Sequence, residues 1–348
     1  WFPNWRLDEI QNGTIMKRFG NLWAQVTSFP NLYHAYRLAR RSKGDRTEVA
    51  RFDMDLETHL IELQRELRSG TYRHGEYRQR TIYERKPRLI SAAPFRDRVL
   101  HHALMNVVDS LIDPRFIYDT YACRRGKGVH RAVDRYQQWA GKFSYVLKLD
   151  ISKYFGSINQ PILIGQVREH VKDPQVLWLF EEIISSYHAE NSGTGLPIGN
   201  LTSQFLANLY LDGFDHWIKE DQRIKAYLRY VDDIFILGNS KPELWNLLFI
   251  IEEKLATLRL KIHPNKINLV RATERVDVLG YIVTPDRRWL RNDNGYRFTR
   301  RFKNLAAQRR NGSIGFRELN AHLQSWIGHA QHGETLGLRR KIFSHQPV

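Results

Sequence analysis

The sequence predicts an α+β fold, and three observations carry that prediction. The stretch Tyr227-Leu228-Arg229-Tyr230-Val231-Asp232-Asp233-Ile234-Phe235-Ile236-Leu237 sets two runs of β-formers around a Tyr-Val-Asp-Asp core, the pattern of a tight β-hairpin with two carboxylates at its tip. Ser144-Tyr145-Val146-Leu147-Lys148-Leu149-Asp150 is a second, nearly all-apolar run, as expected of a buried central strand with Asp150 emerging at its end. Helical periodicity accompanies both: Phe52, Leu56, Leu60, Leu63 and Leu67 recur at spacings of four, four, three and four before Gly70. That stripe marks the packing face of an amphipathic helix which the glycine stops.

Residues 1–30 are aromatic and irregular, and a helical pattern begins at Asn31, interrupted by the basic loop Arg40–Arg46. Thr81 to Pro94 alternates basic and apolar residues, which suits a β-ribbon. Arg96-Asp97-Arg98 opens a helix that runs through His101-His102 to Leu111. No partner at ligand spacing accompanies the paired histidines, so helix packing or nucleic-acid contact fits them better than a metal. Tyr121 to His130 holds four basic residues around Gly126-Lys127-Gly128, without the glycine and hydroxyl spacing of a Walker loop. Pro161 to Tyr187 reads as helical, Gly193 to Asn200 as a flexible entry to a helix over Leu201–Lys219, and Glu243 to Leu260 as an amphipathic helix. From Asp286 the chain is strongly basic, then helical to its end.

The 348 residues, 42% of them hydrophobic, suffice for a sizeable core in one multi-lobed domain or two to three subdomains. Lys and Arg number 54 against 37 Asp and Glu, a net charge of +17, which favours a polyanionic partner, nucleic acid foremost. Nine Trp, sixteen Tyr and seventeen Phe supply stacking platforms as well as core. Cys123 is the only cysteine, which excludes an intramolecular disulfide and a cysteine-rich zinc site and fits a reducing cytoplasm. No apolar run approaches the ~18 residues of a bilayer span, and no signal-peptide pattern is present, so a cytoplasmic protein without membrane contact is expected. The first residue is Trp1 rather than Met, as in a trimmed or fragmentary chain.

Adjacent carboxylates repel, so folding alone does not favour Asp232-Asp233 on a turn between buried strands; a divalent cation would offset the cost. An Asp-Asp pair standing alone is ordinarily solvated turn chemistry. Here it is joined by the strand ending in Asp150 and a glycine-rich helix start between the two. If the strands are neighbours, Asp150 and Asp232 converge where two Mg²⁺ ions about 3.5–4 Å apart would support phosphoryl transfer.

With these motifs the chain resembles a reverse transcriptase, and within that group most resembles the reverse transcriptases of diversity-generating retroelements. Asp150 falls on the first catalytic motif and Tyr230-Val231-Asp232-Asp233 on the third. Gly195-Leu196-Pro197-Ile198-Gly199-Asn200-Leu201-Thr202-Ser203-Gln204 falls on the second. The resemblance extends from about Asn31 to the Trp326–Gln331 segment. It implies a right-hand polymerase fold: an N-terminal extension and fingers over 1–140, a ferredoxin-like palm over 141–285 with 160–195 returning to the fingers, and a helical thumb over 286–348.

The resemblance also implies roles. Asp150, Asp232 and Asp233 are the catalytic carboxylates, Ile151 joins them around two Mg²⁺ ions for which Mn²⁺ can substitute, and Lys266 is the acid that protonates pyrophosphate. Arg88, then Lys86, contacts the incoming triphosphate. Phe155 is the steric gate against a 2′-hydroxyl, while Ile198, Gly199 and Gln204 border the nascent pair. Arg124, Arg125 and Lys127 hold template phosphates, Leu279, Gly280 and Tyr281 form the primer grip, and Arg300 and Arg301 lie in the thumb. Many reverse transcriptases carry Gln where this chain has Ile198 and Pro where it has Gln204. An isoleucine offers the nascent pair shape without hydrogen bonds, which suits error-prone copying at template adenines. The implied partners are dNTPs, a template RNA and its RNA/cDNA duplex, and a small basic accessory variability protein that forms a pentamer. No nuclease or integrase region follows the thumb motifs, so neither activity is expected.

Three rivals stay in view. A two-metal nuclease shares the carboxylates without needing Phe155 or a thumb, a catalytically silent RNA-binding scaffold does not need the carboxylates, and a retron or phage-defence enzyme differs in the pattern at Ile198 and Ser203-Gln204.

Overall fold

The computed structural model describes residues 18–83, 87–189 and 193–344. The strands are β1 (Arg78–Tyr83), β2 (Pro87–Ala92), β3 (Tyr145–Asp150), β4 (Tyr227–Tyr230), β5 (Asp233–Gly238), β6 (Asn268–Arg271), β7 (Val276–Val278), β8 (Tyr281–Val283) and β9 (Arg288–Leu290), and most of the remaining elements are helices. The fold is thus mixed helix and sheet. Two compact units divide the chain, one of residues up to 116 together with 155–211, the other of 117–154 together with 212 onward. No helix among the described residues is long and apolar enough to cross a membrane.

The first unit is largely helical. Helix Phe95–Ile112 is its spine, with Val99, Leu100, Ala103 and Leu104 inaccessible to solvent. The stripe from Phe52 to Leu67 is split: Asp55, at φ −137°, separates helix Thr47–Met54 from helix Leu56–Ser69, so Phe52 packs from the shorter one. Gly70 ends the second helix at φ +71°, the left-handed close that glycine takes without strain. The helical stretch 161–187 is likewise two helices, Gln160–His170 and Pro174–Ser185. Asp173 makes the break, capping the second helix through the N–H groups of Gln175 and Val176 while accepting from Leu22 and Trp23. β1 and β2 form the expected antiparallel ribbon.

His101 is buried on the spine with both ring nitrogens lacking a hydrogen-bond partner. Burial, with His74 and His102 adding, pushes its pKa well below the ordinary 6.5. Burial, then Lys43, lowers His102 to about 4. A folded-state pKa below the unfolded value means that the unfolded chain takes up protons first as pH falls. Stability is therefore whole above pH 6.5 and declines from there toward about 4 for the His102 contribution. Urea midpoints are expected to fall between pH 7.5 and pH 5, and His101→Leu to lessen the fall; an unchanged midpoint would sink this account.

In the second unit the strand order is β4-β5-β3-β6, all antiparallel. Its core runs from Tyr136 and Trp139 on helix Val129–Ala140, through Val146 and Phe235 in the sheet, to Phe298, Leu319 and Trp326 on the C-terminal helices. Those helices are Asn292–Arg310, Phe316–Ala330 and Leu336–Ser344. The stretch expected to be helical from the basic run onward begins instead with β9, which closes the three-stranded sheet β7-β8-β9.

Candidate active site

β3 carries Asp150 because Val146, Leu147 and Leu149 are fully buried between β5 and β6. Register sets Asp150 opposite Asp233 on β5, and Asp233 opposite Tyr230 on β4. The two-residue turn between β4 and β5 is Val231-Asp232. Val231 sits at φ +57°, a position where glycine is the usual choice and a β-branched residue is strained by about 1–3 kcal/mol. Two hydrogen bonds hold the turn: Ile151 N–H donates to Asp232 O at 3.1 Å, and Arg229 Nη1 donates to Val231 O at 3.1 Å.

Arg229 is itself anchored. Its guanidinium reaches Asp215 at 2.6, 2.8 and 3.1 Å, and both side chains are wholly buried. Thr120 Oγ1 and the Tyr227 hydroxyl also donate to Asp215, while the Arg229 backbone exchanges bonds with Asp119 and Tyr121. The acidic turn is thus tied to a desolvated, fully satisfied ion pair. Arg229 is visible in sequence as a charge inside an apolar run, the one signal available; nothing there names Asp215.

Lys266 Nζ donates to Asp150 Oδ2 at 2.5 Å. Lys148 donates to Asp277 O at 2.7 Å. Asp233 is pushed up to about 6, first by burial, then against the pull of Lys148 by the charges of Asp232 and Asp150. Among the described residues no three His, Cys, Asp or Glu side chains are gathered closely enough to hold a metal ion. The carboxylates nonetheless suit Mg²⁺: they are hard oxygen donors whose mutual charge raises Asp233, and Mg²⁺ is commonly held by one or two carboxylates with water and substrate phosphates rather than by a protein cage.

The other expected site residues fall in both units. In the first, Arg88 is exposed on β2, and Phe155 is half-buried with its carbonyl accepting from Leu196 N–H at 2.8 Å. Ile198 O accepts from Ser91 N–H at 3.0 Å, and Asn200 bridges Ser91 O and Ala93 N–H. The second-motif loop is therefore stitched to the end of the ribbon. Gly199, at φ +111°, has room for no Cβ, which would stand 2.8 Å from Ile90 Cγ2. Gln204 is exposed on the first turn of helix Leu201–Tyr210. Lys86 lies outside the described residues.

In the second unit, Arg124 donates to the carbonyls of Ile117 and Thr120, and Lys127 to that of Tyr118 with its ammonium 3.3 Å from that ring's centre. Both shape their own loop, while Arg125 is exposed. Leu279 and Gly280 turn β7 into β8 at φ +51° and +94°. Tyr281 is buried and donates to His329 O at 2.7 Å, so it anchors the hairpin to helix Phe316–Ala330. Arg300 is exposed, and Arg301 reaches His322 at 3.0 Å.

The site is thus a strand-end aspartate and a turn aspartate held in register on an antiparallel sheet, beside a lysine. Residues 78–283 match the family model described as reverse transcriptase (RNA-dependent DNA polymerase), more than half of the chain, and the chain belongs to that family. It is similar to the group II intron-encoded protein LtrA of Lactococcus lactis subsp. cremoris, 24% identical over 201 residues covering 54% of this chain and 34% of LtrA. Protein YkfC of Escherichia coli is 24% identical over 223 residues, 58% of each chain. The putative COX1/OXI3 intron 1 protein of Saccharomyces cerevisiae is 21% identical over 220 residues, 60% of this chain and 25% of that protein. The matches thus span between a quarter and three fifths of these relatives' lengths.

Proposed function

We propose that the protein is an RNA-directed DNA polymerase that joins a primer 3′-hydroxyl to the α-phosphate of a dNTP. The observation that carries this reading is the register that sets Asp150 opposite Asp233 beside the Asp232 turn, with Lys266 on Asp150. Asp150 and Asp232, with Asp233 and the Ile151 carbonyl, would hold two Mg²⁺ ions. When bound, the metal would supply neutralisation of charge on the transferring and leaving phosphate oxygens. Lys266 protonates the departing pyrophosphate, Arg88 grips the triphosphate, and Phe155 excludes a 2′-hydroxyl. The sheet order β4-β5-β3-β6 supports reading this sheet as a ferredoxin-like palm. The ribbon β1–β2 suits fingers, and the basic C-terminal helices suit a thumb gripping the duplex through phosphates.

Removing the acid tests one of these roles. Lys266→Ala is expected to slow incorporation by about 10²–10⁴-fold, the range of general acid catalysis. A rate within threefold of wild type would remove Lys266 from the chemistry.

The finer reading is a diversity-generating retroelement enzyme that makes adenine-mutagenised cDNA, working with a structured template RNA and a pentameric basic accessory protein. Its support is the resemblance at Ile198 and Ser203-Gln204, together with the 36% exposure of Ile198, whose backbone is pinned to Ser91. A second reading, a reverse transcriptase of the intron-encoded kind without adenine mutagenesis, is favoured by the intron-encoded relatives. Primer extension on an RNA template with dNTPs and Mg²⁺, followed by product sequencing, separates the two. Errors concentrated opposite adenines, reduced in Ile198→Gln, are expected; an error spectrum that the substitution leaves unchanged would defeat the role given to Ile198, and accurate extension would establish the second reading.

A further inference from the structure

Beyond the aspartates, the C-terminal part of the second unit holds a cavity of about 500 Å³ between helices Asn292–Arg310 and Leu336–Ser344, at the end of β9. That volume lies within the ~300–1,000 Å³ range of small-ligand sites. Its floor is apolar, made by Leu290, Leu338 and Ile342. Gly295 lets the two helices approach: a Cβ there would meet Leu338 Cδ2 at 3.1 Å.

The wall and rim differ from the floor. Tyr296 lines the cavity yet is 81% exposed, so its ring contributes little to packing and presents a face to whatever enters. Lys303 and Lys341 stand on the rim, both exposed, and no lining residue is acidic. Arg291 also lines the cavity and is bonded to Asp277 and Asp293 at 2.9 and 2.7 Å. Asn292 adds an amide able both to donate and to accept. A flat ring with polar edges and an attached anion satisfies all of these surfaces. An acyl chain would fill the floor but leave the amide and the tyrosine face unmatched.

We propose that this cavity captures one unpaired nucleotide of a single-stranded RNA, its base stacked on Tyr296 over the apolar floor and its phosphate held by Lys303. The inference rests on the RNA-copying reading and adds to it a second RNA contact, formed wholly by the C-terminal helices and β9, that reads an extruded base rather than a duplex. Stacking on an aromatic side chain contributes about 1–3 kcal/mol per base and tolerates any base, so the site would hold a strand without choosing its sequence.

The test is fluorescence anisotropy of the full chain with a labelled single-stranded RNA dodecamer and with the same dodecamer made abasic, at one fixed salt concentration. Tyr296→Ala is expected to weaken binding of the base-bearing strand about tenfold, the equivalent of 1.4 kcal/mol, and to leave the abasic strand unchanged. Tyr296→Phe should bind as wild type, and Lys303→Ala should weaken both strands alike. Equal affinity of wild type and Tyr296→Ala for the base-bearing strand, or an equal loss for both strands, overturns the base-capture site while leaving the polymerase reading intact. Failure of the wild-type chain to bind the base-bearing strand overturns the capture site, while primer extension decides the polymerase reading separately. The exposure of Tyr296 makes a folding defect in these variants readily separable by circular dichroism.

Discussion

Replacing Asp232 by Ala is expected to abolish RNA-templated dNTP incorporation, with a loss of at least about 10³-fold, because metal-borne charge stabilisation is a several-kcal/mol contribution and each 1.36 kcal/mol is tenfold in rate. Asp150→Asn should do the same. Neither change removes a packed apolar group, so the far-UV spectrum and urea midpoint should stay close to wild type. Asp233→Ala should cost less activity, since Asp233 is paired within β5, opposite Asp150 and Tyr230, and lies outside the turn. A single-nucleotide extension assay with the three variants ranks them. Activity of Asp232→Ala within tenfold of wild type would mean that the turn is not where the chemistry happens, whatever the family.

Asp215→Ala is expected to destabilise the second unit by about 3–5 kcal/mol, the usual cost of leaving one member of a buried ion pair unpaired. Arg229 has no exposed surface to retreat to, and Thr120 and Tyr227 lose the acceptor they share. The effect should reach the chemistry as well, because the same guanidinium holds Val231 O in the strained turn. Urea unfolding measures the first part and extension rate at low temperature, where the variant is still folded, the second. Replacing the pair together, Asp215→Leu with Arg229→Met, should recover much of the stability without recovering the rate. A double variant that is both stable and fully active would show that the ion pair has no part in positioning Asp232.

Much of this site was legible in the chain. The apolar run ending in Asp150 and the hairpin bearing Asp232 and Asp233 could be read because a buried strand needs a continuous apolar run and adjacent carboxylates interrupt one where the chain turns. Gly70 and the β1–β2 ribbon followed from the same local chemistry. The misreadings were local too. A helical stripe does not register a break such as Asp55, whose backbone leaves helical geometry at φ −137°, or Asp173, which caps the next helix, because neither interrupts the apolar pattern around it.

What the sequence by itself determined is the set of chemical parts: three aspartates, a lysine, a basic surplus, and a motif order that assigns the chain to the reverse transcriptases. Tertiary structure alone decided the pairings. Asp215 lies 14 positions before Arg229 with no periodicity joining them, and only the placement of helix Asp212–His216 beside β4 brings a carboxylate to that guanidinium. Lys266 meets Asp150 across 116 positions, and Tyr281, which reads as a contact residue, is turned inward to His329. Local patterns encode which side chains are buried, since burial follows from periodicity; partners distant in the chain are chosen by sheet register and helix packing, which no short window of sequence contains.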